Sequence, residues 1–387
     1  MRSAVLLTAA ACCLLVVARA AAEPVTVVRR NGPNYNRINI AVLGDGYTSE
    51  ELSKYSTDVD RVLVWLFGTS PFAEYEPYFN VRRIDVVSNE SGADHPADGI
   101  FRDTALGAAY DCADIERLVC VDHAAVRGVL ERSVTGNLRD MVLILVNDDE
   151  YGGSGGLYAV ASTHQLSSEL MMHELGHSFG LLADEYVVGS TDCDNSVEPA
   201  AVNVTRESTR HAIKWSYWIE PDTPVPATDT TPGVVSAYEG ARYCASGLYR
   251  PTFDSKMRSL ERPFEQVNTE QLIRRIYNWV SPIDAVSPDV DELRSDRCEF
   301  MDFFVQTPGE ADGLPGTLET TWRIDGEVVA GGDSLALVSC ALPAGWHRVE
   351  AEVRDTTAAV RRDPDDALVE RHRWNVLAPE SETLSDR

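Results

Sequence analysis

Residues 171–186 read MMHELGHSFGLLADEY, and the spacing of His173 and His177 constrains this chain more than any other feature. Two histidines four apart share a face only if the backbone between them is helical. On that face they can grip a single metal ion. Glu174 is turned about 100° around the helix axis from His173, so it reaches a water beside the ion rather than the ion itself. Zn²⁺ with three protein ligands keeps a fourth position for water and lowers that water's pKa towards 7. Glu174 would take the proton as general base. The motif therefore predicts one Zn²⁺, held by His173, His177 and a third residue.

Gly180 is expected to end the helix with a positive φ and swing the chain back beneath the ion. In the metzincin pattern H-E-x-x-H-x-x-G-x-x-H, the third ligand lies six residues past the second histidine. That position here is Ala183, which cannot ligate. Asp184 is the preferred third ligand and Glu185 the alternative, since a carboxylate is an acceptable zinc ligand. Either could instead orient a ligand histidine from outside the coordination shell.

The 387 residues are enough for two domains, and 44% hydrophobic with 25% charged residues is an ordinary globular balance. A net charge of −27, from 61 acidic against 34 basic residues, argues against nucleic acid and anionic membranes as partners. Arg2, the apolar run from Ala4 to Ala18 and small residues through Ala22 make a secretory signal peptide over 1–22. No later stretch has the roughly 18 apolar residues of a spanning helix, so the mature chain is expected outside the membrane, secreted to the periplasm or the exterior. Six cysteines follow the leader, and export favours pairing them. Order along the chain suggests 112–120, 193–244 and 298–340. None has C-x-x-C spacing, which argues against a cysteine zinc site or a redox motif.

Strands are predicted at 37–44, 81–88, 140–147 and 157–163, with a helix from about Thr48 or Ser49 to Phe67, helical material over 104–134, and a helix from Ser167 or Ser168 to Phe179. This is an α/β arrangement. Residues 190–260 are loop-rich, and a helix over 265–280 carries Val267, Leu272, Ile273, Ile276 and Trp279 as its apolar positions. A Pro- and Asp-rich linker spans 281–296. Short alternating runs over 297–378 predict an antiparallel β-sandwich of immunoglobulin type, with a tail at 379–387. Weaker candidates are a metal or calcium site at Asp94 and His95, and a Ca²⁺ cluster at Asp148, Asp149 and Glu150. His164 is expected not to ligate.

These residues in this order resemble the bacterial immunoglobulin A metallopeptidase family, a metzincin-like group with H-E-x-G-H-S-F followed by D-E-Y. The segments INIAVLGDGYT, PFAEYEPYFNVRRIDVVSNESGAD, VNDDEYGGSGG and YEGARYCASGLYRPTFDSKMR resemble its blocks, so the likeness covers roughly 36–280. The resemblance implies a zinc endopeptidase acting on a protein or peptide, with His173 and His177 as ligands and Glu174 as base. It places Met257 in a Met-turn beneath the metal, and makes Tyr243 and Tyr249 candidates for stabilising an oxyanion. It further implies that the strand before the active-site helix is a sheet edge that an extended substrate can join, with Gly152, Gly153, Gly155 and Gly156 allowing close approach. The expected architecture is an α/β metzincin-like catalytic domain over 23–280 with the C-terminal sandwich beyond the linker. Two other functions stay open: a non-catalytic, zinc-stabilised surface-binding protein, in which Glu174 would have no use, and an amidase acting on cell-wall peptide.

Overall fold

The computed structural model describes residues 21–189, 196–310, 313, 314 and 316–380. The leader through residue 20, Cys193 and its expected pairing, and the tail from 381 lie outside the described residues.

The first strand, β1, is Val25–Arg29, and β2 is Ile38–Asp45. β2 is buried throughout: Ile38, Ile40 and Val42 face one core, Ala41 and Leu43 another. That is the signature of a parallel strand covered on both sides. A capping box follows, in which the Glu51 carboxylate accepts the Thr48 amide at 2.9 Å, and it leads into α1, Leu52–Leu66. Next come β3 (Phe79–Ile84), α2 (His123–Ser133), β4 (Met141–Val146), β5 (Gly153–Ser154), β6 (Ala159–Ser162) and α3 (Ser167–Ser178). The sheet order is β1-β3-β2-β4-β6-β5. The four inner strands are parallel, and β1 and β5 are antiparallel edges.

Two expectations change here. Residues 104–122 form no α-helix, because the Asp45 carboxylate at the end of β2 takes two backbone amides near their start instead. It accepts from Leu106 and Ala108 at 2.8 Å each, and from the Thr104 hydroxyl at 2.9 Å. Positive φ at Asp111, Ala113 and Asp114 continues the irregular path, which the Cys112–Cys120 disulfide closes. The strand before α3 is also not the edge: β6 is interior, and β5 lies outside it.

Beyond Gly189 the described chain is irregular but tied down. The Lys214 ammonium donates to the carbonyls of Pro199, Ala201 (2.8 Å) and Val204 (2.7 Å), and pairs with the Glu198 carboxylate at 2.9 Å. The Trp215 indole donates to Ser236 O at 2.6 Å, and Trp215 and Trp218 seed a small core with Val235, Ala237 and Val267. A hairpin follows, β7 (Tyr238–Ala241) and β8 (Cys244–Arg250), and then α4, Gln266–Tyr277. α4 buries Val267, Leu272, Ile273 and Ile276 as expected. Trp279 lies past its end and is 45% exposed, so it leaves the apolar face.

Residues 281–296 are not a bare linker. They contribute β9 (Ala285–Ser287) and β10 (Glu292–Arg294) to the C-terminal β region, since three-residue strands fit between the prolines. The region continues with β11 (Phe300–Gln306), β12 (Leu318–Ile324), β13 (Glu327–Gly331), β14 (Ser334–Val338), β15 (Gly345–Asp355) and β16 (Val369–Ala378). Sheets β10-β16-β15-β12-β13 and β14-β11-β9 enclose Phe303, Trp322 and Trp374, with the Phe303 and Trp374 rings 5.1 Å apart. Cys298 and Cys340 are disulfide-linked across this region. Among the described residues no helix is long and apolar enough to cross a membrane.

Two buried acids join the β region to the α/β region. Asp284 accepts from Arg37 through both oxygens, at 2.5 and 2.6 Å, and from Asn36 Nδ2 at 2.7 Å. Asp355 accepts from the hydroxyls of Tyr75 (2.5 Å) and Tyr277 (2.7 Å). Removing one partner of a buried pair strands the other charge. Asp284→Ala is therefore expected to cost about 3–5 kcal/mol, read as an earlier urea midpoint by tryptophan fluorescence. An unchanged midpoint would show that the pair does not hold the two regions together.

Candidate metal centre

The helix α3 is buried at every position from Ser167 to Gly176. It can run through the interior because Leu170, Met171, Met172 and Leu175 pack into the core, leaving the histidine face to open on a cleft. Gly176, between the two histidines, is a packing requirement. A Cβ there would collide with Met257 Sδ, so the glycine admits Met257 directly beneath the helix.

After Ser178 the chain reverses, though not through a positive φ at Gly180. Leu181 adopts the left-handed conformation (φ +57°), and Leu181 N donates to His177 O (3.1 Å) while Leu182 N donates to Gly176 O (3.0 Å). The first of these bonds, from the left-handed residue to the carbonyl four back, is an αL cap with leucine at the left-handed position. Gly180 is required for space: a Cβ there would lie 2.6 Å from Gly176 O and 2.9 Å from Leu272 Cδ2 of α4.

The reversal brings Asp184 to the histidines. Asp184 Oδ1 is 3.1 Å from His173 Nε2 and 3.2 Å from His177 Nε2, and the two Nε2 atoms are 3.1 Å apart. Among the described residues this is the one group of His, Cys, Asp or Glu whose ligand atoms converge. The other nitrogen of each ring is already committed. His173 Nδ1 lies 2.8 Å from Lys256 O, and His177 Nδ1 lies 2.8 Å from Leu182 O. A carbonyl only accepts, so each Nδ1 carries the proton and each Nε2 turns a lone pair inward. Ligands about 2.0–2.1 Å from a tetrahedral ion lie about 3.3 Å apart. The donor set and its spacing therefore fit Zn²⁺. Without an ion, burial opposes charge on His177, but the Asp184 carboxylate more than offsets it and lifts the imidazole to about 9. Burial likewise disfavours the Asp184 carboxylate, yet hydrogen bonds from the two histidines hold it well below the usual carboxylate range.

Glu185, the alternative ligand, points away. It is fully buried and accepts from Asn203 (2.9 Å), Asn268 (2.9 Å) and the Ser255 hydroxyl (2.7 Å). Its amide donates to Met257 O at 2.8 Å, which locks the Asp184 loop to the Met257 turn. Met257 is fully buried under α3, and Lys256 beside it forms a buried 2.6 Å pair with Glu169.

The Tyr243 hydroxyl donates to Asp184 Oδ2, and the ring sits on the cleft wall beside Tyr186. Tyr249 packs against the Trp215–Trp218 core and does not line the cleft, so the oxyanion expectation is lost for it. Glu174 is 9% exposed, and burial raises its carboxyl above the ordinary value against the pull of both histidines. Its side chain lies against Gly155, where a Cβ would collide with Oε2. The cleft in front has a volume of about 850 Å³ and is open to solvent.

The secondary candidates hold loops together. His95 Nε2 meets Asp148 at 2.9 Å, and its ring stacks on Tyr110 at 4.5 Å. Asp94 accepts the Arg102 amide at 2.6 Å, and Asp148 accepts the Glu150 amide at 2.9 Å. Asp149 contacts the Thr163 hydroxyl at 3.5 Å. Among the described residues none of these joins a converging group of ligand atoms. His164 Nδ1 accepts the Leu166 amide at the start of α3 and is no part of the site. Sequence reasoning missed Arg117 and Tyr186 on the cleft wall, and the carbonyls of Lys256 and Leu182. Tyr186 was within reach, standing next to Asp184 and Glu185. A backbone carbonyl leaves no trace in a sequence.

Residues 26–230, more than half of the chain, match the family model described as IgA Peptidase M64. The span includes α3 and Asp184, whereas Tyr243 and Met257 lie beyond it. No curated protein matches the chain.

The two adjacent acids are expected to separate cleanly on mutation. Asp184→Ala should weaken zinc affinity at least about 100-fold in competition with a chelator, with the fold retained. Glu185→Ala should keep zinc binding but lose about 1–3 kcal/mol of stability in denaturant titration, because three donors lose their acceptor. The reverse pattern would make Glu185 the ligand.

Proposed function

The chain belongs to the IgA peptidase M64 family, and from that membership we propose that it is a secreted zinc endopeptidase with His173, His177 and Asp184 as ligands and Glu174 as general base. One observation carries the reading: three inward-facing ligand atoms 3.1–3.2 Å apart, beside a buried carboxylate, at the wall of an open cleft.

Bound there, zinc would supply Lewis acidity, lowering the pKa of water and polarising a peptide carbonyl. The residues of the chain do the rest. Glu174, its proton affinity raised by burial, takes the proton of the attacking water and returns it to the leaving amine. Gly155 leaves room for that carboxylate. Lys256 O and Leu182 O keep both imidazoles in the tautomer that ligates. Tyr243 holds the outer oxygen of Asp184, and an oxyanion role for it would require that bond to be given up.

A metzincin-like fold is supported by the antiparallel edge β5 beside the parallel strands, the helix α3 that follows β6, and Met257 beneath that helix. Residues 23–280 then form the catalytic unit, and the β-sandwich supports it through Asp284 and Asp355. Residues 1–22 direct export, and the substrate is a protein or peptide. A binding protein stabilised by zinc would leave the placement of Glu174 without a use. An amidase would share the chemistry and differ only in substrate.

The test compares the mature protein with Glu174→Ala. Both should hold about one zinc per chain. Only the intact protein should cut unfolded proteins or immunoglobulins, and the variant should lose about 10²–10⁴ in rate. A chelator should abolish cleavage, and zinc should restore it. Zinc in both with cleavage by neither would favour the binding protein. Absence of zinc would overturn the ligand assignment.

A further inference from the structure

We propose that Arg117 is a specificity-determining residue that receives a substrate carboxylate within a residue or two of the bond cut. The proposal deepens the peptidase reading above and rests on it.

The argument begins with the loop closed by Cys112 and Cys120, which crosses the outer side of β5. Gly153 N donates to Arg117 O at 3.1 Å, Val119 N donates to Gly153 O at 3.3 Å, and the Ser154 hydroxyl donates to Val119 O at 2.5 Å. The Arg117 backbone is thus fixed to a strand whose continuation, Gly155, touches the Glu174 carboxylate. Two residues of extended chain span about 6.6 Å, so Arg117 is anchored one side-chain length from the reacting centre. It lines the same cleft as Glu174, His173 and His177, and its guanidinium lies close enough to Glu174, Tyr151 and Tyr186 for its charge to act on each.

That guanidinium is exposed, and among the described residues no carboxylate lies within 4.0 Å of it. Arg258, the other arginine on the cleft wall, is already engaged: it pairs with Asp254 at 3.5 Å and lies over the Phe253 ring. With 61 acidic residues against 34 basic ones, a cleft arginine with the Tyr186 hydroxyl beside it and no carboxylate stands out against its own protein. A planar guanidinium fork matches a carboxylate through two parallel hydrogen bonds, which a lysine would not do. The carboxylate is that of an Asp or Glu side chain, or the terminal carboxylate of a short peptide.

The test uses the zinc-loaded protein and fluorogenic peptides with Glu, Gln or Lys scanned through the positions flanking the cut. Each peptide is made with a free and an amidated C-terminus. The intact protein should favour one Glu position over Gln by about tenfold in kcat/KM, mostly through KM. If the terminal carboxylate is the ligand, the preference follows the free terminus instead. Arg117→Gln should bring the ratio to about one, and Arg117→Glu should turn it towards Lys. A ratio near one in the intact protein, a ratio unchanged in Arg117→Gln, or equal losses on every peptide would overturn the proposal. Anisotropy of the same labelled peptides on Glu174→Ala, with and without Arg117→Gln, separates the two readings. Cleavage without charge preference sinks only the Arg117 role. Charge-dependent binding without cleavage sinks only the peptidase, and neither effect sinks both.

Discussion

Two imidazole nitrogens and a carboxylate oxygen meet within 3.1–3.2 Å of one another at the wall of the cleft. Most of the α/β region can be understood as what holds them there. The helix supplies two of the atoms through its own period. The third arrives because the chain reverses at once, and the reversal gives His177 the carbonyl of Leu182 at the same stroke. The Met257 turn closes the other side, with Lys256 O on His173 and Met257 O on the Glu185 amide. Ligand orientation therefore depends on three backbone segments, and none of them moves without the others.

The neighbouring acids Asp184 and Glu185 show how environment divides identical chemistry. Asp184 meets two imidazoles and a tyrosine hydroxyl at a cleft wall. Glu185 meets two amides and a serine hydroxyl in the interior, and burial pushes its carboxyl up. One side chain faces the reactive space and the other pins the loop that presents it. The C-terminal β region repeats that logic on a larger scale, since its buried acids Asp284 and Asp355 take arginine, asparagine and tyrosine partners from the α/β region.

Much of this was legible in the sequence because it rests on period and composition. The i, i+4 histidines required α3, the apolar run at 140–147 required an inner strand, and the alternation beyond residue 300 required a β-rich region. Local signals failed where a distant group overrode them. Asp45 drew the backbone of residues 104–108 into a loop that reads as helix, and the positive φ fell on Leu181 while Gly180 was needed for its missing Cβ. The choice of Asp184 over Glu185 was legible as a preference, but its physical basis lies with Asn203, Ser255 and Asn268, which no spacing rule connects. Arg117 carried no signal at all, because what sets it apart is a position beside β5 and the lack of a carboxylate partner.

The irregular stretch pinned by Lys214 has a further consequence. A protease cuts chain that can leave its fold and lie extended, so the described irregular stretch over 196–237 would ordinarily be an early target. Three carbonyls gathered on one ammonium, and an indole bonded across to Ser236, raise the free energy of local opening there. A peptidase lives at high concentration around itself. Stitching its least regular segment to the interior, side chain to backbone, is how such a molecule would outlast its own activity.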